Sequence, residues 1–130
     1  MSFQFGKEYK LCSKKLIGQL YQSGRDVKAF PFYLKYQVVE SGCSPFQIVL
    51  VVPKKKFRHA TTRNQIRRYI REAVRHEKEN LEVKLVEKSI AMALYLVYAG
   101  DGNLSLAGTR KDIAKLFKKL IYDIEQNNNF

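Results

Sequence analysis

Acidic side chains are scarce in this chain of 130 residues, which carries 12 Asp and Glu against 24 Lys and Arg and has a formal net charge of +12. A surplus of this size favours a phosphate-rich partner, because a strongly basic protein attracts polyanions. The shortage of acids also argues against a metal-dependent nuclease, which needs clustered carboxylates. No pair of Asp or Glu residues has the spacing of metal ligands, so we expect no metal site in the protein alone.

Cysteine and long apolar runs are also rare. Cys12 and Cys43 match no metal-binding spacing and are too few for a disulfide framework, so we expect reduced thiols. No apolar stretch reaches the roughly eighteen residues that a membrane span needs, and residues 1–10 lack the apolar run of a signal peptide. We therefore expect a cytoplasmic protein without a membrane partner.

Histidine is limited to His59 and His76. A general base must lie within hydrogen-bonding reach of the group that it activates, yet no nucleophile is placed between these two residues. His59 is better explained as a loop residue that is exposed or faces the phosphate-rich partner. We expect no catalytic residue in the protein.

The positive charge is concentrated in residues 53–78, which hold ten of the 24 basic residues and two of the 12 acidic ones. A helical period places Ile66, Ile70 and Val74 on an arc that would face a core. Thr61 or Thr62 is the expected N-cap, and the helix is expected to end near residues 79–81. Like charges four residues apart repel by a few tenths of a kcal/mol each, which indicates a polyanionic ligand for the row formed by Arg63, Arg67, Arg71 and Arg75.

The acids near this helix are expected to leave the row un-neutralised. Glu72 and Glu79 fall on the far side of the helix from the arginines, and Glu77 falls near the apolar arc. Residues 82–88 are charged and are predicted to form a connection.

The rest of the chain indicates alternating helices and strands. Periodicity and turn residues predict a helix from Ser13 to Gly24, strands over residues 30–40, 46–52 and 89–99, and a last helix from Thr109. Thr109 and Asp112 have the spacing of a capping box at the start of this last helix. Its predicted inner face consists of Ile113, Leu116, Phe117, Leu120, Ile121 and Ile124. The short turn at 41–45 predicts antiparallel pairing of the first two strands. The order helix, strand, strand, helix, strand, helix predicts an α+β fold, a two-layer α/β sandwich. We expect one domain over residues 1–130, with an irregular arm at 1–10 and a frayed tail at 125–130.

The basic segment resembles the bacterial ribonuclease P protein family, in which paired lysines precede a basic helix centred on Arg-Asn. The matching positions are Lys55, Lys56, Ala60, Arg63, Asn64, Arg67, Arg68, Arg71 and Glu72. The chain departs from the family pattern at Arg58, Thr61 and Gln65, where Gly, Val and a second Arg are usual. The likeness covers nearly the whole chain, and it implies an α/β sandwich with a left-handed crossover between parallel strands.

The resemblance implies a protein subunit that assists a catalytic RNA in removing the 5′ leader of precursor tRNA. Catalysis would belong to the ribonuclease P RNA, which would also hold Mg²⁺, and the free protein would be a monomer. The implied RNA-binding residues of the helix and its preceding loop are Lys55, Lys56, Arg58, Arg63, Asn64, Arg67, Arg68 and Arg71. The implied leader cleft, between the first helix and the sheet, is lined by Ile17, Tyr21, Phe32 and Tyr36. The sequence leaves open which strand face lines it, since Tyr33 lies opposite Phe32.

A structural ribosomal protein, or another RNA-binding protein without a role in cleavage, is the alternative. Such a protein on a related scaffold would carry similar charge and bind RNA with similar salt sensitivity. The Arg63-Asn64 context favours the ribonuclease P interpretation.

Overall fold

The structure, a computed structural model, describes residues 11, 14–39 and 45–126. Its elements are α1 (Lys14–Ser23), β1 (Arg25–Ala29), β2 (Phe32–Val39), β3 (Phe46–Val51), α2 (Ala60–Glu87), β4 (Ala91–Tyr98) and α3 (Leu106–Gln126). The α+β class and the predicted elements are confirmed, with β1 in addition. Several predicted features lie outside the described residues: the arm at 1–10, Ser13, both cysteines, residue 40 of the predicted first strand, residues 41–44 of the predicted turn, and residues 127–130.

The four strands form one mixed sheet in the order β1-β2-β4-β3. β4 pairs antiparallel with β2 and parallel with β3. The predicted pairing of β2 with β3 is therefore wrong, because β4 lies between them. β4 is the most apolar strand and its first four residues are all buried, so the central position removes the most apolar surface from water. β3 is consequently an edge strand, and only one of its faces is well buried.

β1 was not predicted because its sequence, RDVKA, is mostly polar. Its burial alternates, with Val27 and Ala29 inside and the other three residues exposed. Antiparallel pairing with β2 gives it the backbone partners that define a strand. The Tyr33 hydroxyl donates a hydrogen bond to Asp26 Oδ1 at 2.7 Å and ties the two strands together at the surface.

Helices cover both faces of the sheet. The main core lies between one face and the pair α2 and α3, and it includes Phe32, Leu34 and Leu94. α1 packs on the other face over a smaller cluster that includes Leu20 and Ala93. Side chains alternate along each strand, so neighbouring residues pack in opposite cores. The two faces of the sheet therefore carry different sets of residues.

α2 is longer than predicted, since it continues through Glu87 for a total of 28 residues. Leu81 and Leu85 extend the buried arc, and Lys78 Nζ donates to Glu82 Oε1 at 2.5 Å in a buried ion pair. The charged residues after 81 therefore continue the helix instead of connecting it to β4. At the other end the N-cap is His59, without a side-chain cap, and Thr61 and Thr62 lie inside the helix.

α3 begins at Leu106, three residues before the predicted start. Ser105 Oγ accepts a hydrogen bond from the Gly108 amide at 3.1 Å, as an N-cap does. Thr109 is buried within the helix and its Oγ1 donates to Ser105 O, so the predicted capping box of Thr109 and Asp112 is wrong. The predicted inner face is confirmed by burial of Ile113, Leu116, Phe117, Leu120 and Ile124, with Ile121 packed at its margin.

Candidate nucleic-acid interface

A lysine loop joins β3 to α2. Lys54, Lys55 and Lys56 are exposed, whereas the next residue, Phe57, is buried. The Phe57 ring stacks on Tyr98 with centroids 5.9 Å apart, and its amide donates to Pro53 O at 3.1 Å. The buried ring therefore anchors a loop whose three lysines are exposed.

The first turns of α2 continue this surface. Asn64, Arg68 and Arg71 are exposed and Arg67 is half-buried. Arg67 Nη1 donates to Asn64 Oδ1 at 3.3 Å, which keeps these two side chains together on one face. We refer to the following residues as the cationic face: Lys54, Lys55, Lys56, Arg58, Asn64, Arg67, Arg68 and Arg71.

Arg63 differs from its neighbours because its guanidinium contacts the protein's own backbone. Its Nη1 donates to Phe57 O at 2.8 Å and to Arg58 O at 3.0 Å, and its Nε is buried. A planar guanidinium can hold two carbonyl groups at once. The geometry therefore makes Arg63 a brace between α2 and the lysine loop, in contrast to the outward-facing position implied by the motif.

The expected row of four arginines stops before Arg75. Arg75 Nη2 lies 2.8 Å from Glu72 Oε2, and its Nε donates to the same oxygen at 2.9 Å. The expectation that Glu72 would leave the row un-neutralised is wrong, because residues three apart are neighbours on a helix surface. Glu77, in contrast, lies 3.5 Å from Arg110 Nη2 of α3 and is paired away from the row.

Phe32 and Tyr36 do not line a cleft beside α1, which corrects the implied assignment. Their exposed fractions are 2% and 0%, and both belong to the core beneath α2 and α3. The Phe32 ring packs on Tyr98 at 5.7 Å. The Tyr36 hydroxyl donates to the Asp123 carboxylate, and burial is the main cause that raises the Tyr36 pKa above its ordinary value.

The opposite face of β2 carries a different set of aromatic and cationic groups next to α1. Tyr21 is 63% exposed, and its ring lies edge-on to Tyr95 with centroids 6.2 Å apart. Lys35 Nζ lies 5.2 Å from the Tyr21 centroid and 5.9 Å from that of Tyr33, and it donates to Tyr21 O at 2.6 Å. We refer to Tyr21, Tyr33, Lys35 and Tyr95 as the tyrosine-lysine patch.

Two of the four implied cleft residues lie on this side of the sheet. Tyr21 belongs to the patch, and Ile17 packs in the small cluster that also includes Tyr95. The hydrogen bond to Asp26 raises the pKa of Tyr33, and burial raises that of Tyr95. Both phenols are therefore neutral at physiological pH and present uncharged rings for stacking. Sequence reasoning missed Lys35 and Tyr95, because the sheet order that brings them together is not visible in the local pattern.

In the described part of the chain, none of the helices combines the length and apolar character that crossing a membrane requires. Among the same residues, no three His, Cys, Asp or Glu side chains are grouped so that they could hold a metal ion.

A cationic helix face beside a lysine loop, carried on a small α+β domain, defines a protein suited to docking on a polyanion. Residues 5–121 match the family described as Ribonuclease P. The chain therefore belongs to the ribonuclease P protein family. This membership supports a role in an endoribonuclease complex, a ribonucleoprotein of tRNA processing.

Individual relatives agree with this assignment. The chain is 37% identical over 75 residues to the ribonuclease P protein component of Chlorobium phaeobacteroides, covering 55% of this chain and about half (51%) of that relative. It is 28% identical over 101 residues to the component of Porphyromonas gingivalis, covering 77% and 74% of the two chains.

Solved structures show the same fold. The RNase P protein of Staphylococcus aureus superposes with a TM-score of 0.64 at 19% identity, over 85% of this chain and 93% of that one. The RNase P protein from Thermotoga maritima gives a TM-score of 0.62 at 16% identity, over 84% and 94%. The α+β sandwich is thus shared although most side chains differ.

Proposed function

We propose that this chain is the protein subunit of ribonuclease P and binds the catalytic RNA through the cationic face. The observation that carries the proposal is the position of Arg67, Arg68 and Arg71, which share one side of the first turns of α2 directly after the lysine loop, in a member of this family. Lys and Arg side chains that neutralise phosphates release counterions, which favours binding without a base code. Because a helix holds these side chains at fixed spacing, they can dock on a folded RNA without being ordered first.

The tyrosine-lysine patch supports a second part of the proposal, binding of the 5′ leader of precursor tRNA. Bases of a single strand stack on aromatic side chains at about 1–3 kcal/mol per base, with cationic groups near the phosphates. Tyr21 offers an exposed ring, and the ammonium of Lys35 lies beside it. Stacking of this kind tolerates leaders of many sequences, because every base has a flat face.

In this proposal the RNA carries out the cleavage and holds Mg²⁺, and the protein contributes binding. The protein is a monomer in the cytoplasm until it joins the RNA. The role of the cationic face would be to offset phosphate repulsion as the substrate approaches, which lowers the demand for Mg²⁺.

The test is cleavage of precursor tRNA by the cognate ribonuclease P RNA at reduced Mg²⁺, with and without the protein. We expect the protein to stimulate cleavage. No stimulation at any protein concentration would overturn the proposal. RNA binding without stimulation would favour the alternative of a ribosomal or other RNA-binding protein.

A substitution separates the two surfaces. Tyr21→Ala should lower affinity for leader-bearing substrate about tenfold, within the range of one lost stacking contact, and should leave leaderless tRNA unaffected. Tyr122→Ala is the matched control, because Tyr122 is similarly exposed but lies on α3. Equal losses for both substrates would contradict leader binding at the patch.

A further inference from the structure

A pocket of about 560 Å³ opens beyond the end of β4, outside the tyrosine-lysine patch. Its walls come from the turn between β1 and β2, the lysine loop, the segment after β4 and the first turns of α3. Phe30, Lys56, Asp101 and Asp112 are among the residues that line it. Its volume is within the range of small-ligand sites.

The segment after β4, which forms one wall of the pocket, is fixed by close contacts with Tyr98. The Tyr98 hydroxyl accepts a hydrogen bond from the Gly102 amide at 2.9 Å, and Gly102 has a φ of +90°, which disfavours other residues. A Cβ added at Gly100 would lie 2.3 Å from Tyr98 Oη. The segment after β4 is thus seated directly on Tyr98, and a preformed site has less to order on binding.

One wall carries an aromatic ring that the protein leaves uncovered. Phe30 is 83% exposed, the highest value among the large apolar residues of the described chain. Its position in a pocket wall makes the ring available for stacking against a planar ligand. Unpaired nucleobases are such ligands, and aromatic side chains bind them by stacking.

The pocket carries a positive charge on the lysine loop, at Lys56, and negative charges at Asp101 after β4 and Asp112 on α3. Lys56 Nζ donates to Ala99 O at 3.4 Å, which holds the ammonium at the pocket and links it to the cationic face. An ammonium has three donors, so it can also bind a phosphate. The carboxylates of Asp101 and Asp112 repel phosphate but accept hydrogen bonds from amino groups. Asp101 Oδ1 already accepts from the Asn103 amide at 3.0 Å, which makes Asp112 the better acceptor for a ligand.

We propose that this pocket binds one unpaired nucleotide of the RNA partner, with its base on Phe30, its phosphate at Lys56 and its exocyclic amino group at Asp112. The inference deepens the proposed function and rests on it for the identity of the RNA. Because uracil has no exocyclic amino group, the pocket should prefer adenine over uracil.

A tryptophan probe tests the pocket directly. The chain contains no Trp, so Phe30→Trp places a single, selectively excitable tryptophan in the pocket wall, and Tyr122→Trp places one at an exposed control position on α3. We expect a short oligoadenylate to quench the Phe30→Trp emission at lower concentration than an oligouridylate of equal length, and to leave Tyr122→Trp unchanged. Adding Asp112→Asn should reduce this preference. Emission unchanged by either oligonucleotide would overturn the pocket, and equal quenching would overturn the role of Asp112.

A binding measurement separates this inference from the proposed function. Phe30→Ala should weaken binding of ribonuclease P RNA about tenfold, the loss expected for one stacked base, and Phe30→Tyr should retain it. If Phe30→Ala bound the RNA as tightly as wild type, the pocket would be refuted while the proposed function stood. If the wild-type protein failed to stimulate cleavage, the proposed function would fail, whereas the oligoadenylate result would still report on the pocket.

Discussion

The two halves of α2 use their charges differently. Residues 60–74 contain four basic residues and one acidic residue, whereas residues 75–87 contain three basic and four acidic residues. Every basic residue of the second half has an acidic partner, in the pairs Arg75–Glu72, Lys78–Glu82, Lys84–Glu87 and Lys84–Glu125. In the first half, four basic residues stand against a single acidic residue, Glu72, and that residue pairs with Arg75. One continuous helix therefore combines a segment suited to a polyanion with a segment whose charges serve the fold.

The placement of the pairs explains this division. Lys78 and Glu82 are buried, and Lys84 Nζ reaches Glu125 of α3 at 2.8 Å. The Lys84–Glu125 contact attaches the second half of α2 to α3, whereas the Lys78–Glu82 pair lies within α2 on its buried side. The first half is attached by its apolar arc and by the Arg63 brace, so its outer side is left for a ligand.

The largest effect should follow from breaking the buried pair in the second half. Lys78→Ala leaves Glu82 buried without its ammonium partner, which typically costs about 3–5 kcal/mol of unfolding free energy. Affinity for RNA should be unchanged wherever the protein is folded. Urea unfolding and RNA titration measure the two quantities.

The matched control is the double substitution Lys78→Met with Glu82→Leu. It removes both charges at similar volume and should be neutral or stabilising. A loss below about 1 kcal/mol for Lys78→Ala would show that the pair contributes no more than a surface ion pair.

A smaller effect is expected at Arg63, the exception in the first half. Arg63→Ala removes both hydrogen bonds to the lysine loop, and bonds from a charged donor contribute about 1.5–3 kcal/mol. Arg63→Lys retains the charge, but its side chain is one atom shorter and does not bring a donor to the position of Nη1, which makes both bonds, so it should lose most of this stability as well. The free energies of unfolding of the two variants, measured in denaturant, test whether Arg63 braces the lysine loop. Wild-type stability in Arg63→Lys would contradict the brace.

The smallest effect concerns the surface pair between the second half and α3. Lys84 lowers the pKa of Glu125 below its ordinary value, through a hydrogen bond first and charge second. A carboxyl with a lowered pKa stabilises the fold above its unfolded-state pKa and loses that contribution as pH falls through the folded-state pKa. Glu125→Gln should slightly lower the thermal midpoint at about pH 7, and the difference should vanish well below about pH 4. A difference that persists in acid would exclude the charge as its cause.

Much of the fold could be predicted from local patterns. Apolar periodicity gave α1, β2, β3, β4 and the inner face of α3, and the charge distribution located the basic part of α2. The end of α2 was missed because the charges of Lys78 and Glu82 are paired in the interior, which a polarity pattern does not reveal. β1 was missed because its strand character comes from pairing with β2.

The sequence predicted which types of residue form the site, but not which face of the sheet or helix each residue lies on. Alternation in β2 separates Phe32 and Tyr36 from Tyr33 and Lys35, yet it does not say which set lies beneath α1. That depends on the sheet order, since insertion of β4 between β2 and β3 brings Tyr95 next to the Tyr21 ring. The inward turn of Arg63 likewise depends on the backbone path of the lysine loop.

The salt dependence of RNA binding tests the central claim, that the first half of α2 docks on RNA and the second half does not. The logarithm of the binding constant for ribonuclease P RNA is measured against the logarithm of salt concentration for wild type, for Arg67→Ala with Arg68→Ala, and for Arg75→Ala with Lys84→Ala. Each lost phosphate contact lowers the slope by about 0.7–0.9. We expect the first pair to lower it by about 1.5 and the second pair to leave it at the wild-type value. An unchanged slope for the first pair, or an equal fall for the second, would contradict the account.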